Sequence, residues 1–254
     1  MVQGRVVIVT GAANGIGRAL AAGFHGDGFT VVGVDNDAVR LMAMASVCAM
    51  TVVTDVADPV QASAVVESAV ARFGRVDVLV NGAGVILDRR VVEHADGEFE
   101  HIVRTNLFGS FYFMRAVIPV MRRERYGRII NLASRSAEGA APGQSAYAAS
   151  KAAIVPLTRC AASEVAADGI LVNALIPGNT RTVMNPTATQ EPEAVYPYAR
   201  ELATLSADGP NGKVFRYGTE YWLFRPEREG TLRHLMRRVR GMMRFDSQRR
   251  AVRG

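Results

Sequence analysis

Between Asn131 and Lys151 the chain reads Asn131-Leu-Ala-Ser134, a Gly/Ala/Pro-rich loop, and then Tyr147-Ala-Ala-Ser150-Lys151 opening a long Ala-rich segment. On a helix, Tyr147 and Lys151 stand at i and i+4, on one face and within reach of each other. A free phenol has a pKa of about 10 and is a poor base near neutral pH. A neighbouring ammonium favours the phenolate, which makes the pair a proton-transfer group usable closer to neutrality. Ser134, just past an expected strand, offers a hydroxyl to orient or polarise a substrate oxygen. A Tyr and a Lys at this spacing are common on helices, so the chemistry depends on what the surrounding elements bring to them.

Those elements are regular. Val/Ile-rich runs at 5–10, 30–34, 50–53, 76–80, 127–132 and 170–175 alternate with Ala-rich segments of helix length. The alternation predicts βαβ units, hence an α/β fold with a doubly wound, Rossmann-like parallel sheet. Runs such as Val76-Asp-Val-Leu-Val80 suit strands covered on both sides. The first run passes straight into Thr10-Gly11-Ala-Ala-Asn14-Gly15-Ile16-Gly17, followed by Arg18-Ala-Leu-Ala-Ala. Glycine permits the tight turn and a close backbone approach to a ligand. The helix beyond it offers free N–H groups and a positive dipole end to a pyrophosphate. Its place between a strand and a helix, in the first βαβ unit, makes this turn a candidate dinucleotide site.

Composition narrows the class. The 254 residues suffice for one α/β domain with a full core, and 49 % hydrophobic residues fit a globular protein. No run of eighteen apolar residues occurs; the richest, Leu107 to Met121, is broken by Arg115. The N-terminus has no charged region leading into a cleavable apolar core, and Cys48 and Cys160 are too few for a disulfide framework or a zinc site. A reduced, cytoplasmic protein is expected. His25, His94, His101 and His234 neither cluster nor flank a Cys or carboxylate at ligand spacing, so no metal is expected. Residues 225–254 hold ten Arg against three acidic residues, a net charge of +7, which leaves −1 for residues 1–224. The basic character therefore belongs to a C-terminal extension, and the body gives no electrostatic reason to expect nucleic acid.

With Thr10-Gly11-x-x-x-Gly15-x-Gly17 and Tyr147-x-x-x-Lys151 both present in order, the chain resembles the one-domain short-chain dehydrogenase/reductases over about residues 4–218. The resemblance implies hydride transfer between a secondary alcohol or ketone and a nicotinamide, with Tyr147 as general acid/base. Lys151 lowers the phenol pKa and binds the nicotinamide ribose, Ser134 holds the substrate oxygen, and Asn106 keeps a water in the proton relay. Ser134 precedes Tyr147 by thirteen residues, the family's spacing, and Ser136 is the competing hydroxyl. Asn106 has a structural alternative, a kink in its helix. The implied cofactor contacts are Gly11, Asn14, Gly15, Ile16 and Gly17 at the pyrophosphate, Asp55 and Val56 at the adenine, and Asn81, Ala83 and Gly84 after the fourth strand. Tyr147 and Lys151 add to these, with Pro177, Gly178, Thr180 and Thr182 over the nicotinamide. Asp35 closes the second strand 24 residues after Gly11, where the fold places its ribose reader. Its charge repels a 2′-phosphate, position 14 is Asn rather than a basic residue, and no base follows before Arg40, so NAD is expected over NADP. Gly82 departs from the family's usual Asn-Asn-Ala-Gly, and a modest stability cost without loss of activity is expected from it.

The family's mobile substrate lid corresponds to about 184–205, and its last strand to Asn211–Gly218. Beyond 224 the chain departs from the family pattern. Leu232, Leu235, Met236, Val239, Met242 and Met243 recur at helical spacing among arginines, the pattern of a basic amphipathic helix. It would pack on the body or a neighbouring subunit, touch a membrane surface, bind an acidic partner, or be plainly disordered. A homodimer or homotetramer is implied, through the long helices after the fourth and fifth strands. For the substrate, a hydrophobic alcohol or sterol-like ketone stands beside a 3-hydroxyacyl thioester of CoA or acyl carrier protein. A non-catalytic NAD-sensing or scaffold protein is the rival of another class.

Overall fold

In the computed structural model, which describes residues 3–139 and 141–223, β1 (Val6–Thr10) is buried at every position. Its side chains alternate between two layers: Val6 and Ile8 join one apolar cluster, Val7 and Val9 the other. Each fully buried Val or Ile contributes about 1.5–3 kcal/mol, so a strand apolar on both faces is stable only between two helical layers. The other strands are β2 (Thr30–Asp35), β3 (Met50–Val53), β4 (Val78–Asn81), β5 (Gly127–Leu132), β6 (Ile170–Ile176), β7 (Val214–Arg216) and β8 (Thr219–Glu220). The sheet order is β3-β2-β1-β4-β5-β6-β7-β8, parallel throughout except for the antiparallel β7–β8 pair.

One layer holds α1 (Gly15–Gly26), α2 (Ala38–Met42) and α7 (Tyr196–Ala203); the other holds α3 (Pro59–Phe73), α5 (Gly109–Glu124) and the later turns of α6 (Ser145–Glu164). Strand order reverses between β1 and β4, which opens a crevice at their carboxyl ends. α4 (Glu98–Val103) runs into α5 through a π-helical segment, Arg104–Phe108, that holds the buried Asn106. A π segment adds a residue to the turn and changes which side chain faces the neighbouring helix.

The six strands anticipated from Val/Ile runs are all present. The seventh, expected within 211–218, is β7, and β8 was not foreseen. The lid expected over 184–205 narrows, because its second half is a core helix. Val195, Ala199, Leu202 and Ala203, at i, i+4, i+7 and i+8, are buried beneath α7. Tyr196 packs on α1 so closely that a Cβ on Gly23 would stand 2.3 Å from its ring. Residues Met1–Leu223 form one compact unit. The amphipathic helix expected at 225–254 lies outside the described residues. No helix among the described residues is long and apolar enough to cross a membrane.

Candidate active site

The crevice starts at the glycine turn. Gly11 has φ +74°, and a Cβ there would stand 2.9 Å from the Ala83 nitrogen; one on Gly17 would stand 2.1 Å from the Gly11 carbonyl oxygen. Only glycine lets strand, loop and helix close this tightly. Asn14 caps α1, accepting from the Gly15 N–H at 2.7 Å. Thr10 Oγ1 accepts from the Gly82 and Ala83 N–H groups at 3.0 and 3.1 Å. Gly82, expected as a weak point, is instead fitted to its place, since a Cβ there would meet the Thr10 carbonyl oxygen at 2.7 Å. Next to it, a Cβ on Gly84 would stand 3.6 Å from the Lys151 ammonium. One line of backbone thus leads from Gly11 through Ala83 and Gly84 to Lys151.

Tyr147 and Lys151 share a face of α6, with Nζ 5.9 Å from the centroid of the phenol ring. Lys151 is 5 % exposed and donates to the Leu132 carbonyl at 2.8 Å. Burial without a carboxylate partner pushes its pKa down to about 8. The Tyr147 phenol is raised by burial, and the nearby Ser134 side chain opposes that rise. So in this geometry the serine, rather than the ammonium, counters the desolvation of the phenol. Ser134 also accepts from the Ser136 N–H at 3.1 Å. The rival hydroxyl of Ser136 donates to Gln144 Oε1 at 3.2 Å.

Asn106 holds its surroundings with every side-chain group. Oδ1 accepts from the Val85 N–H at 2.7 Å; Nδ2 donates to the Val85 carbonyl and to Ser150 Oγ, both at 3.0 Å. Ser150 in turn donates to the Tyr147 carbonyl at 2.8 Å. Asn106 sits in the π segment and links the β4 loop to the helix of Tyr147.

Asp35 points back at the glycine turn, accepting from the Ala13 and Asp37 N–H groups, both at 3.0 Å. Asp55 accepts from the Ala57 N–H at 2.9 Å, and Val56 is buried so close to α5 that a Cβ on Gly109 would stand 2.8 Å from its methyl. Ile16 is partly buried on the α1 layer. Asn81 differs from expectation. Its amide turns inward, donating to Asn131 Oδ1 at 2.8 Å, so only the backbone of this loop can face a dinucleotide. Asn131 passes the chain on to Thr158 Oγ1 at 3.0 Å, and Thr158 to the Ile154 carbonyl at 2.7 Å. This buried ladder across β4, β5 and α6 could not be anticipated, because it depends on the register Asn81↔Asn131. On the far side, Pro177 O accepts from Thr180 Oγ1 at 3.1 Å and from Gln190 Nε2 at 2.8 Å. That fold brings Thr182 over the glycine turn, 3.1 Å from where a Gly15 Cβ would lie, with Gly178 at φ +90° between them in sequence. Lys151 has N–H groups beyond its single bond. With a glycine cradle that a Cβ would fill, the residues present fit a nicotinamide dinucleotide. The described residues hold no group of three His, Cys, Asp or Glu suited to a metal ion.

The chain is similar to known proteins. The chain is 35% identical over 195 residues to the 3-oxoacyl-(acyl-carrier-protein) reductase FabG of Escherichia coli K12, covering 76% of this chain and 80% of that one. For the Thermotoga maritima protein of the same name, the identity is 36% over 188 residues, covering 72% and 76%. The crystal structure of levodione reductase superposes with a TM-score of 0.80 at 28% identity, over 86% of this chain and 98% of that one. The family model for short chain dehydrogenases matches residues 5–193. That span takes in the glycine turn, β1 to β6 and the whole of α6, and with it the chain belongs to the short chain dehydrogenase family of oxidoreductases, which use nicotinamide cofactors.

Proposed function

We propose that this enzyme is an NAD-dependent dehydrogenase/reductase acting on a secondary alcohol and its ketone. The observation that carries the reading is the unbroken line from Gly11 through Gly84 to Lys151, with Tyr147 on the same face of α6 as Lys151. When bound, the nicotinamide supplies the hydride acceptor or donor. Tyr147 Oη takes the substrate hydroxyl proton in oxidation and returns it in reduction. Ser134 Oγ holds the substrate oxygen. Lys151, buried beneath the phenol, donates to the nicotinamide ribose. Asn106 keeps α6 and the β4 loop at a fixed separation, and connects Lys151 through water to solvent. The glycine turn, Asn14 and Ile16 hold the pyrophosphate; Asp55 and Val56 border the adenine; the 81–84 backbone borders a ribose. Pro177, Gly178, Thr180 and Thr182 hold the carboxamide.

NAD is favoured over NADP by Asp35 and by its neighbour. Arg40, the first base after Asp35, pairs with Asp37 at 3.1 Å and is thereby committed. The outer face of α5 exposes Phe108 and Phe111 beside Tyr112, with Arg115 stacked 5.8 Å and 5.3 Å over Phe111 and Tyr112. That face supports a homodimer or homotetramer built on α5 and α6, in a cytoplasmic protein. A second reading, a 3-oxoacyl thioester as substrate, is favoured by the two FabG relatives.

Steady-state assays with NAD and NADP, over secondary alcohols, cyclic ketones and 3-oxoacyl thioesters, test both. Turnover with NAD on an alcohol or ketone supports the first; turnover confined to thioesters supports the second. Cofactor binding without turnover on any panel member contradicts both.

A further inference from the structure

The hairpin that closes the sheet contains a strained residue. Arg216 and Thr219 pair across β7 and β8, and the two residues between them, Tyr217 and Gly218, have φ +52° and +74°. Such a turn favours Asn or Gly at its first position, and a bulky aromatic side chain is strained there. Strain of this kind persists where surrounding contacts hold it, often at functional sites. The contacts are specific. The Tyr217 phenol lies against Gly178, where an added Cβ would stand 2.6 Å from its oxygen. The Arg216 guanidinium stacks on the Tyr217 ring, 4.7 Å from its centroid, and lies 5.6 Å from that of Tyr221. Tyr221 donates to Glu138 at 2.8 Å, four residues beyond Ser134. The hairpin therefore ties the segment after β6 to the loop after β5, the two loops that flank a substrate at Ser134.

Among the described residues, Arg216 meets no carboxylate within ion-pair distance, although Glu138 lies on the far end of the Tyr221 it stacks against. The Arg216 Nε is buried without a hydrogen-bond partner. Arg135 likewise forms no ion pair among the described residues. Glu138 raises the Tyr221 phenol through its hydrogen bond, and the positive charges of both arginines oppose that rise, so both lie near this ring. The planar fork of a guanidinium matches a carboxylate or phosphate.

We infer that Arg216, clamped between Tyr217 and Tyr221 and reinforced by Arg135, binds an anionic group of the substrate, a carboxylate or a phosphate. This deepens the hydride-transfer reading above and rests on it for the word substrate. Three ketones of one acyl skeleton test it: acetoacetate carries a carboxylate, acetoacetyl-CoA carries phosphates, and acetoacetyl-N-acetylcysteamine carries neither. At least one anionic ketone should exceed the neutral one in kcat/KM by tenfold or more. Which one does so identifies the anion. Arg216→Gln should lower that ratio at least tenfold, mostly through KM, and Arg216→Lys should restore part of it; NADH fluorescence titration confirms that each variant is folded. Equal use of the three ketones by the natural protein, or a ratio unmoved by Arg216→Gln, overturns the subsite. If none of the three ketones is turned over, the hydride-transfer reading is decided by the wider panel of alcohols, cyclic ketones and thioesters above. The anion site is then judged by calorimetric titration with coenzyme A and acetoacetate: weaker binding of either by Arg216→Gln supports it, and equal or absent binding overturns it.

Discussion

Asn106 meets Val85 with both atoms of its side-chain amide, accepting from the N–H at 2.7 Å and donating to the carbonyl at 3.0 Å. The amide thus acts as one more strand residue for the loop leaving β4, which has no backbone partner at that point in the crevice wall. Its second donor, to Ser150, carries the same restraint into α6, where Tyr147 and Lys151 stand. The π segment is what aims Asn106 at both.

Asn106→Leu should therefore destabilise more than an ordinary buried amide loss. Two backbone groups of Val85 lose their partners, at about 1–3 kcal/mol each. A drop in unfolding free energy of roughly 2–4 kcal/mol is expected by urea titration, with loss of turnover from a displaced β4 loop.

Lys151 sets stability against activity. Its pKa is about 8 in the folded protein against 10.5 as an ordinary lysine, so the folded state holds this proton less tightly than the unfolded chain. The penalty for keeping the charge buried is fully present below pH 8 and is relieved as pH rises toward 10.5. Lys151→Met should abolish turnover yet raise stability at pH 7 by on the order of 2 kcal/mol. The difference between variant and natural protein should shrink with rising pH, measured by denaturant midpoints at pH 7, 8.5 and 10.

Asp35→Asn removes the charge at the end of β2 that is proposed to select against a 2′-phosphate, while keeping the side-chain shape. The kcat/KM ratio for NADPH over NADH should rise about tenfold, equivalent to roughly 1.4 kcal/mol of repulsion removed. An unchanged ratio would place cofactor choice elsewhere.

Gly82→Asn restores the residue usual in relatives and should nevertheless destabilise. The new Cβ would stand 2.7 Å from the Thr10 carbonyl oxygen, between strand ends locked by Thr10 Oγ1. A loss of about 1–3 kcal/mol is expected in thermal or urea unfolding.

The inner strands were legible because each is a continuous apolar run buried on both faces, a pattern that helices and loops do not share. The glycine turn and the Tyr147–Lys151 spacing were legible because their geometry is local. What escaped depends on partners far along the chain. The inward turn of Asn81 needs Asn131 beside it in register, which no short window of sequence reveals. The resemblance assigns 184–205 to a lid, and the buried face of α7 within it becomes plain only through contact with Gly23 and the sheet. The Tyr217 turn carries none of the Asn-Gly chemistry that marks a hairpin, so β8 could not be foreseen.

The proton-transfer role of the phenol is tested most directly by Tyr147→Phe. The substitution leaves the ring beneath Ser134 and above Lys151 and deletes one oxygen. Single-turnover hydride transfer, followed by NADH absorbance with cofactor prebound, should fall by about 10²–10⁴-fold, while NAD affinity stays within a few-fold. A variant that transfers hydride at near the natural rate, or that loses NAD binding and turnover in parallel, would contradict the assignment of Tyr147 as the acid/base.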